Sequence, residues 1–455
     1  MTLIEIVQRN IRRNFKEYIL YFVSLASSML IYFMFASLRY STQIKKGMVN
    51  NVVINNVLQS SKVILIIFIA IFIIYSTNFF IKKRKKEVGL YSLLGITKKQ
   101  IGTMLFCETM IMGGVALVIG LLIGSISFKL FLEILMSLMK LNVPITFELS
   151  IKAIIDTIIV FLAILLYTAW KNSRLIYQFP LIEMFQANHK GESMPKGSKT
   201  MAYIGLILIG LGYVSAFFFR EIVKFVKNPE DPMHPLMDPK IIPFFILTAI
   251  VLATYFLFTS YTVIVLKKIR SKGNIYCNGM NMINISQLLY QVKGNAKLLA
   301  TIAILSATAL TAVSTVAALY YVGQSETKVD FMQLYGVSLF IGSFLGGIFV
   351  LATGSIIYYK QLSEAYANQR YYEILRKIGV TKKEVKKAIS KQVSFSFISP
   401  LIVGLVHSLF AIPIISNMPI YDIIIPIVFS SGAYCLIYFG YYVLTVYSYL
   451  KIVYK

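Results

Sequence analysis

Ten long apolar runs constrain what this chain can fold into more than any other feature. They lie at Tyr18–Leu38, Val63–Ile81, Met104–Ser127, Ile151–Trp170, Met201–Phe218, Ile241–Val265, Leu298–Tyr321, Tyr335–Tyr358, Val393–Ile415 and Tyr421–Val443. Each is close to the roughly 20 residues that a helix needs to cross the hydrocarbon layer. A lipid-facing barrel would show strands of alternating polarity, whereas these runs are uniformly apolar. A soluble chain carries about 25% charged residues; here the figure is 14%, with 57% hydrophobic. The reading is an all-α integral membrane protein with ten transmembrane helices. It excludes soluble enzymes, secreted disulfide scaffolds and disordered regulators. Cys107, Cys277 and Cys435 are too few and too scattered for a disulfide framework or a metal knot, so no metal site is expected.

Charge supplies the topology. The net charge is +26, but the cations cluster in the linkers between apolar runs. That pattern belongs to membrane orientation rather than to nucleic-acid binding. With the N-terminus placed in the cytoplasm, 33 lysines and arginines fall on the inner side and 9 on the outer side, while Lys62, Lys129 and Lys152 sit at or near span ends. One span more or fewer would scramble this alternation. Both termini are therefore expected in the cytoplasm, in a multi-pass protein of a bacterial cell membrane. About sixteen amphipathic residues precede the first run, too many for the lead-in to a cleavable signal peptide. Leu3, Ile4, Val7, Ile11 and Phe15 share one face and Arg9, Arg12, Arg13 and Lys16 flank it. Residues 1–17 are thus expected as a helix on the inner leaflet, its cations against anionic lipid. The proline-rich stretch Arg220–Lys240 reads as an irregular outer loop.

Two linkers repeat each other. Gly95 begins Gly-x-Thr-Lys-Lys-Gln-Ile and Gly379 begins Gly-x-Thr-Lys-Lys-Glu-Val, and each stretch joins two spans, 2 to 3 and 8 to 9. The inference is a duplicated four-helix unit, spans 1–4 matching spans 7–10, with spans 5–6 between them. The expected organisation is a first repeat at 18–175 with an elbow at 82–101, inserted spans 5–6 with linkers at 176–290, and a second repeat at 291–455 with an elbow at 369–385. Leu90, Leu93 and Leu94 form an apolar stripe on an otherwise basic helix. Gly95 closes that helix through positive φ. Thr97 caps the next one, with Gln100 completing a capping box. Gly379, Thr381 and Glu384 repeat the punctuation. A basic loop obeying the positive-inside rule accounts for the lysines but not for the shared register, so a docking role is expected.

The stretch from Arg84 to Ile101 resembles the motif of FtsX-like permeases, the membrane subunits of type VII ABC systems. The segment Asn10-Ile-Arg-Arg-Asn-Phe-Lys-Glu-Tyr-Ile-Leu-Tyr-Phe-Val-Ser24 is similar to that of the Bce-type permeases, found mainly in Gram-positive bacteria and linked to bacitracin and lantibiotic resistance. The resemblance covers nearly the whole chain. One departure is plain: Bce-type permeases carry a large extracellular domain between spans 7 and 8, where this chain has only Val322–Phe331 and a few neighbours. The resemblance implies no cofactor in this chain and a separate ABC ATPase subunit, a pair of which binds ATP and Mg and docks at the elbows. It also implies a sensor histidine kinase as a further partner. The chain itself holds no G-x-x-x-x-G-K-[ST] phosphate loop and no catalytic cluster, so it is read as no enzyme.

The residues expected to couple to the ATPase are Lys86, Glu87, Gly89, Leu90, Leu93, Leu94, Gly95 and Thr97 in the first elbow. In the second they are Glu373, Leu375, Ile378, Gly379 and Thr381. Gly120 and Gly124 with Ala116, and Gly342 with Gly346, mark close helix packing by small-xxx-small spacing. Ionisable groups inside spans are functional suspects. Glu108 near the inner end of span 3 and Asp156 in the outer part of span 4 are read as structural, and His407 in span 9 as a hydrogen-bonded packing residue. Two functions stay open: an ATP-driven permease that removes or protects from cell-wall-active peptides, and a mechanotransmitter regulating an extracytoplasmic partner such as a wall hydrolase. A secondary transporter is disfavoured by the scarcity of intramembrane charge.

Overall fold

The computed structural model describes residues 15–47, 51–83, 85–141, 148–175, 197–226, 241–277, 280–323, 329–416 and 420–454, together with Glu5, Arg9, Thr146 and Tyr177. The interfacial helix expected at 1–17 and most of the proline-rich loop lie outside the described residues. Ten helices are long and apolar enough to cross a membrane. In chain order the elements are α1 (Phe15–Tyr40), α2 (Thr42–Gly47), α3 (Asn51–Lys83), α4 (Lys85–Leu93), α5 (Lys98–Leu138), α6 (Ile151–Leu175), α7 (Lys199–Phe217) and α8 (Phe219–Val226). They continue with α9 (Ile242–Phe256), a π-helical turn (Leu257–Tyr261), α10 (Thr262–Ser271), α11 (Gly273–Tyr276), α12 (Asn281–Gly323), α13 (Val329–Lys377), α14 (Lys382–Ser416) and α15 (Ile420–Val453). The fold is all-α, as the uniform apolar runs require, because in lipid a helix satisfies its backbone groups internally.

The chain forms two compact units, Met1–Lys190 with Glu326–Ile341, and Gly191–Ser325 with Gly342–Lys455. In the first, α1 packs on α3, α5 and α6, and α5 packs on α6. The opening of α13 joins this unit: Phe340 meets Phe131 edge-on, their centroids 4.6 Å apart. In the second, α12 packs on α14 and α15, while α7, α9 and α10 (spans 5 and 6) fold against the same bundle.

The two units repeat one another at close quarters. Gly120 of α5 lies where an added Cβ would stand 2.9 Å from the Ala26 carbonyl oxygen and against Met29 and Leu30 of α1. Gly404 of α14 lies where its Cβ would stand 3.0 Å from Ser306 Cβ and 3.4 Å from the Ala303 carbonyl oxygen, with Ala307 beside it. Ala26, Met29 and Leu30 hold the same spacing as Ala303, Ser306 and Ala307. Close backbone approach of this kind replaces the hydrophobic drive that lipid removes between helices. Gly124 meets Phe33, and Gly342 and Gly346 meet Val316 and Val313 of α12. All four glycines singled out by spacing therefore sit at helix contacts.

Candidate functional site

Both elbows close by the same hydrogen bonds. At the first, the Ile96 amide donates to the Tyr91 carbonyl at 3.1 Å and the Gly95 amide to the Ser92 carbonyl at 3.2 Å. At the second, Val380 donates to Leu375 and Gly379 to Arg376, each at 3.1 Å. This 6→1 and 5→2 pairing forces a left-handed residue at the turn. Gly95 has φ +85° and Gly379 +98°, the only glycines with positive φ among the described residues. The next helix starts at once. The Gln100 amide donates to Thr97 Oγ1 at 3.3 Å and the Thr97 amide to Gln100 Oε1 at 3.0 Å. The Glu384 amide donates to Thr381 Oγ1 at 3.3 Å and the Thr381 amide to Glu384 Oε2 at 2.9 Å. Hydrogen bonds from the Thr381 hydroxyl and then its amide hold the Glu384 carboxyl below its ordinary range. Two orphan donors are satisfied reciprocally at each start, so each elbow is a fixed bend.

The bends present apolar side chains to solvent. Leu90, Leu93 and Leu94 are 54%, 66% and 71% exposed. Beneath them, Val88, Ile101 and Leu105 form a small buried core with Tyr91 and Ile96 packed against it. In the second elbow Ile374 and Ile378 are 52% and 71% exposed. Leu375, expected on the presented stripe, is instead buried. It falls in register with Tyr91, on the face that anchors the elbow, and Ile374 takes the exposed place matching Leu90. Spacing alone did not separate these neighbours, because one residue around a helix moves a side chain by about 100°. Gly89 is buried, Glu87 half-buried, and Gly95, Thr97, Gly379 and Thr381 are exposed at the turns. Glu373 is exposed and paired to Lys377 at 2.8 Å. The Lys86 side chain lies outside the described residues.

The intramembrane groups have structural partners. Asp156 pairs with Lys62 at 2.7 Å and accepts from the Tyr32 hydroxyl at 3.1 Å. Nothing in the sequence announces this pair, since its members are 94 residues apart. His407 lies between Tyr213, 2.7 Å from Nδ1, and Thr254, 2.8 Å from Nε2. Thr254 already donates its one hydroxyl proton to the Ile250 carbonyl. The ring therefore donates from Nε2 and accepts the Tyr213 proton at Nδ1. It pins spans 5 and 6 to span 9, the packing role expected for it. Glu108 is buried beside α1, with Tyr21 within its electrostatic reach. Among the described residues no group of three histidine, cysteine or acidic side chains is placed to hold a metal.

The family description "FtsX-like permease C-terminal" matches residues 61–181 and 343–453, one elbow in each segment. The chain belongs to the FtsX-like permease family. Named relatives include the bacitracin export permease protein BceB of Bacillus subtilis (strain 168), 27% identical over 335 residues, which is 72% of this chain and 50% of the relative. The ABC transporter permease protein YxdM of the same organism is 27% identical over 336 residues, 73% of this chain and 51% of the relative. The uncharacterized ABC transporter permease YvcS, also of that organism, is 27% identical over 321 residues, 70% and 47% respectively. The chain spans about half the length of the curated relatives it matches. As an FtsX-like permease with ten apolar helices, it is a multi-pass membrane protein.

Proposed function

We propose that this chain is the permease subunit of an ABC transporter whose separate ATPase subunits dock on the two elbows and drive removal of, or protection from, bacitracin- or lantibiotic-type cell-wall-active peptides. The observation that carries the reading is the pair of matching bends, each rigidly capped and each holding bare leucine or isoleucine side chains amid cations. Burying three half-exposed leucines supplies on the order of 4 kcal/mol, and a fixed bend passes force into the helices it joins. ATP and Mg belong to the partner; closure of the ATPase pair moves the elbows, and the spans follow as rigid bodies. The elbows face the cytoplasm, with both termini, and a sensor histidine kinase joins the assembly. The bacitracin export relatives support the peptide reading. Transmission of motion to an extracytoplasmic partner uses the same elbows and is the competing outcome.

Leu93→Asp places a charge at the centre of the first stripe. It should abolish co-purification of the ATPase while leaving membrane insertion intact. Normal retention of the ATPase would remove the docking argument. A deletion strain should lose resistance to bacitracin or to a lantibiotic. Unchanged susceptibility across both classes, with docking retained, would favour the mechanotransmitter.

A further inference from the structure

We infer that the two elbows are unequal seats for the same kind of ATPase subunit: the first an apolar anchor that holds its copy at high salt, the second a charge-split seat that releases its copy as salt rises. This rests on the docking reading above. The shared register makes the comparison residue by residue. Leu90 and Ile374 are 54% and 52% exposed, and Leu94 and Ile378 are both 71% exposed. The flanking positions therefore offer one surface to one partner. Between them the elbows part. Leu93 stands at the centre of the first stripe, and its counterpart is Lys377, paired with Glu373, the counterpart of Gly89. An apolar pocket that receives Leu93 meets an exposed ion pair at the other site. Covering that pair strips water from both charges, and the pair recovers little of the loss. A polar partner surface that keeps the pair wet gains an attraction that salt screens instead.

Neighbouring contacts point the same way. The Tyr454 ring lies 5.3 Å from the Arg376 guanidinium carbon and 5.2 Å from Lys382 Nζ. Two of the second elbow's cations are thus already engaged by the end of α15. Identical ATPase copies meeting these two faces bind with different strength and different salt dependence. The matched family segments, one elbow in each, supply the two seats.

The test uses the full chain co-expressed with the ATP-binding subunit encoded beside it, in nanodiscs, with ATPase copies per permease counted by native mass spectrometry. The wild type should fall from about two copies to about one as salt is raised from roughly 0.05 to 0.5 M, where the screening length shrinks severalfold. Lys377→Leu should keep the second copy at high salt. Leu93→Lys should release both copies together, and the Leu93→Lys/Lys377→Leu swap should restore one salt-resistant copy at the other elbow. Equal salt loss from both seats, or no change in any of the three variants, overturns the asymmetry. Leu94→Asp combined with Ile378→Asp separates the two readings. If that chain holds no ATPase, docking stands and only the asymmetry has failed; if it holds two copies, the docking reading falls with it.

Discussion

At the level of single residues, the buried charges are the most sensitive points. Lys62 and Asp156 are 13% and 20% exposed and meet at 2.7 Å in the outer part of the first unit, where Tyr32 adds a hydrogen bond. Each ion makes the other tolerable near lipid. Removing one partner leaves an uncompensated charge, which costs about 3 kcal/mol or more, whereas removing both is often nearly neutral. Lys62→Met should therefore lower the melting temperature of the purified protein strongly, Asp156→Leu should do so comparably, and the double variant should recover most of the loss. Additive losses in that cycle would show that the two residues act separately. Neither the pair nor the His407 bridge was readable from the sequence. The sequence marked Asp156 and His407 as intramembrane polar groups, but their partners come from other helices, and packing alone brings them together.

Among the elements, the elbows were the most legible part of the chain, because their determinants are local. Glycine where φ must be positive, threonine at the helix start and a hydrogen-bonding side chain three residues on are chemistry of consecutive residues. Their bonds appear at both bends. What the sequence blurred was rotation about the helix axis, so Leu375 was expected on the stripe that Ile374 occupies. The caps also differ in one respect that solution conditions can expose. Gln100 carries no proton to gain, whereas Glu384, outside the apolar run that follows it, is held below its ordinary value by Thr381. A carboxyl with a lowered folded-state value contributes stability above its unfolded value and loses it as the pH falls through the folded one. Between neutral pH and about pH 3, below the ordinary glutamate value, amide protection factors at residues 382–386 should fall while those at residues 98–102 hold. Glu384→Gln should remove the difference. Parallel loss at both elbows would mean that the cap does not govern the bend.

For the molecule as a whole, orientation decides whether any motor can reach the elbows. The ten spans were legible because lipid demands long, unbroken apolar helices, and the asymmetry of 33 inner against 9 outer cations was legible because short cationic linkers resist translocation. Together they place residues 82–101 and 369–385 on the cytoplasmic side. The association of spans 5 and 6 with the second unit was not legible, since it depends on contacts such as Tyr213 with His407 across distant segments. Sidedness can be measured directly. In a background with Cys107, Cys277 and Cys435 replaced by alanine, Leu94→Cys and Ile378→Cys put single thiols on the exposed stripes, and Thr42→Cys puts one on the opposite side of the first span. A membrane-impermeant maleimide should modify Thr42→Cys in intact cells and leave the two elbow variants untouched until the membrane is inverted or opened. Protection of one elbow with labelling of the other would break the duplicated topology, because the positions are then separated by an odd number of crossings. Labelling of both elbows from outside would invert the whole assignment and leave an ATP-driven partner on the wrong side of the membrane.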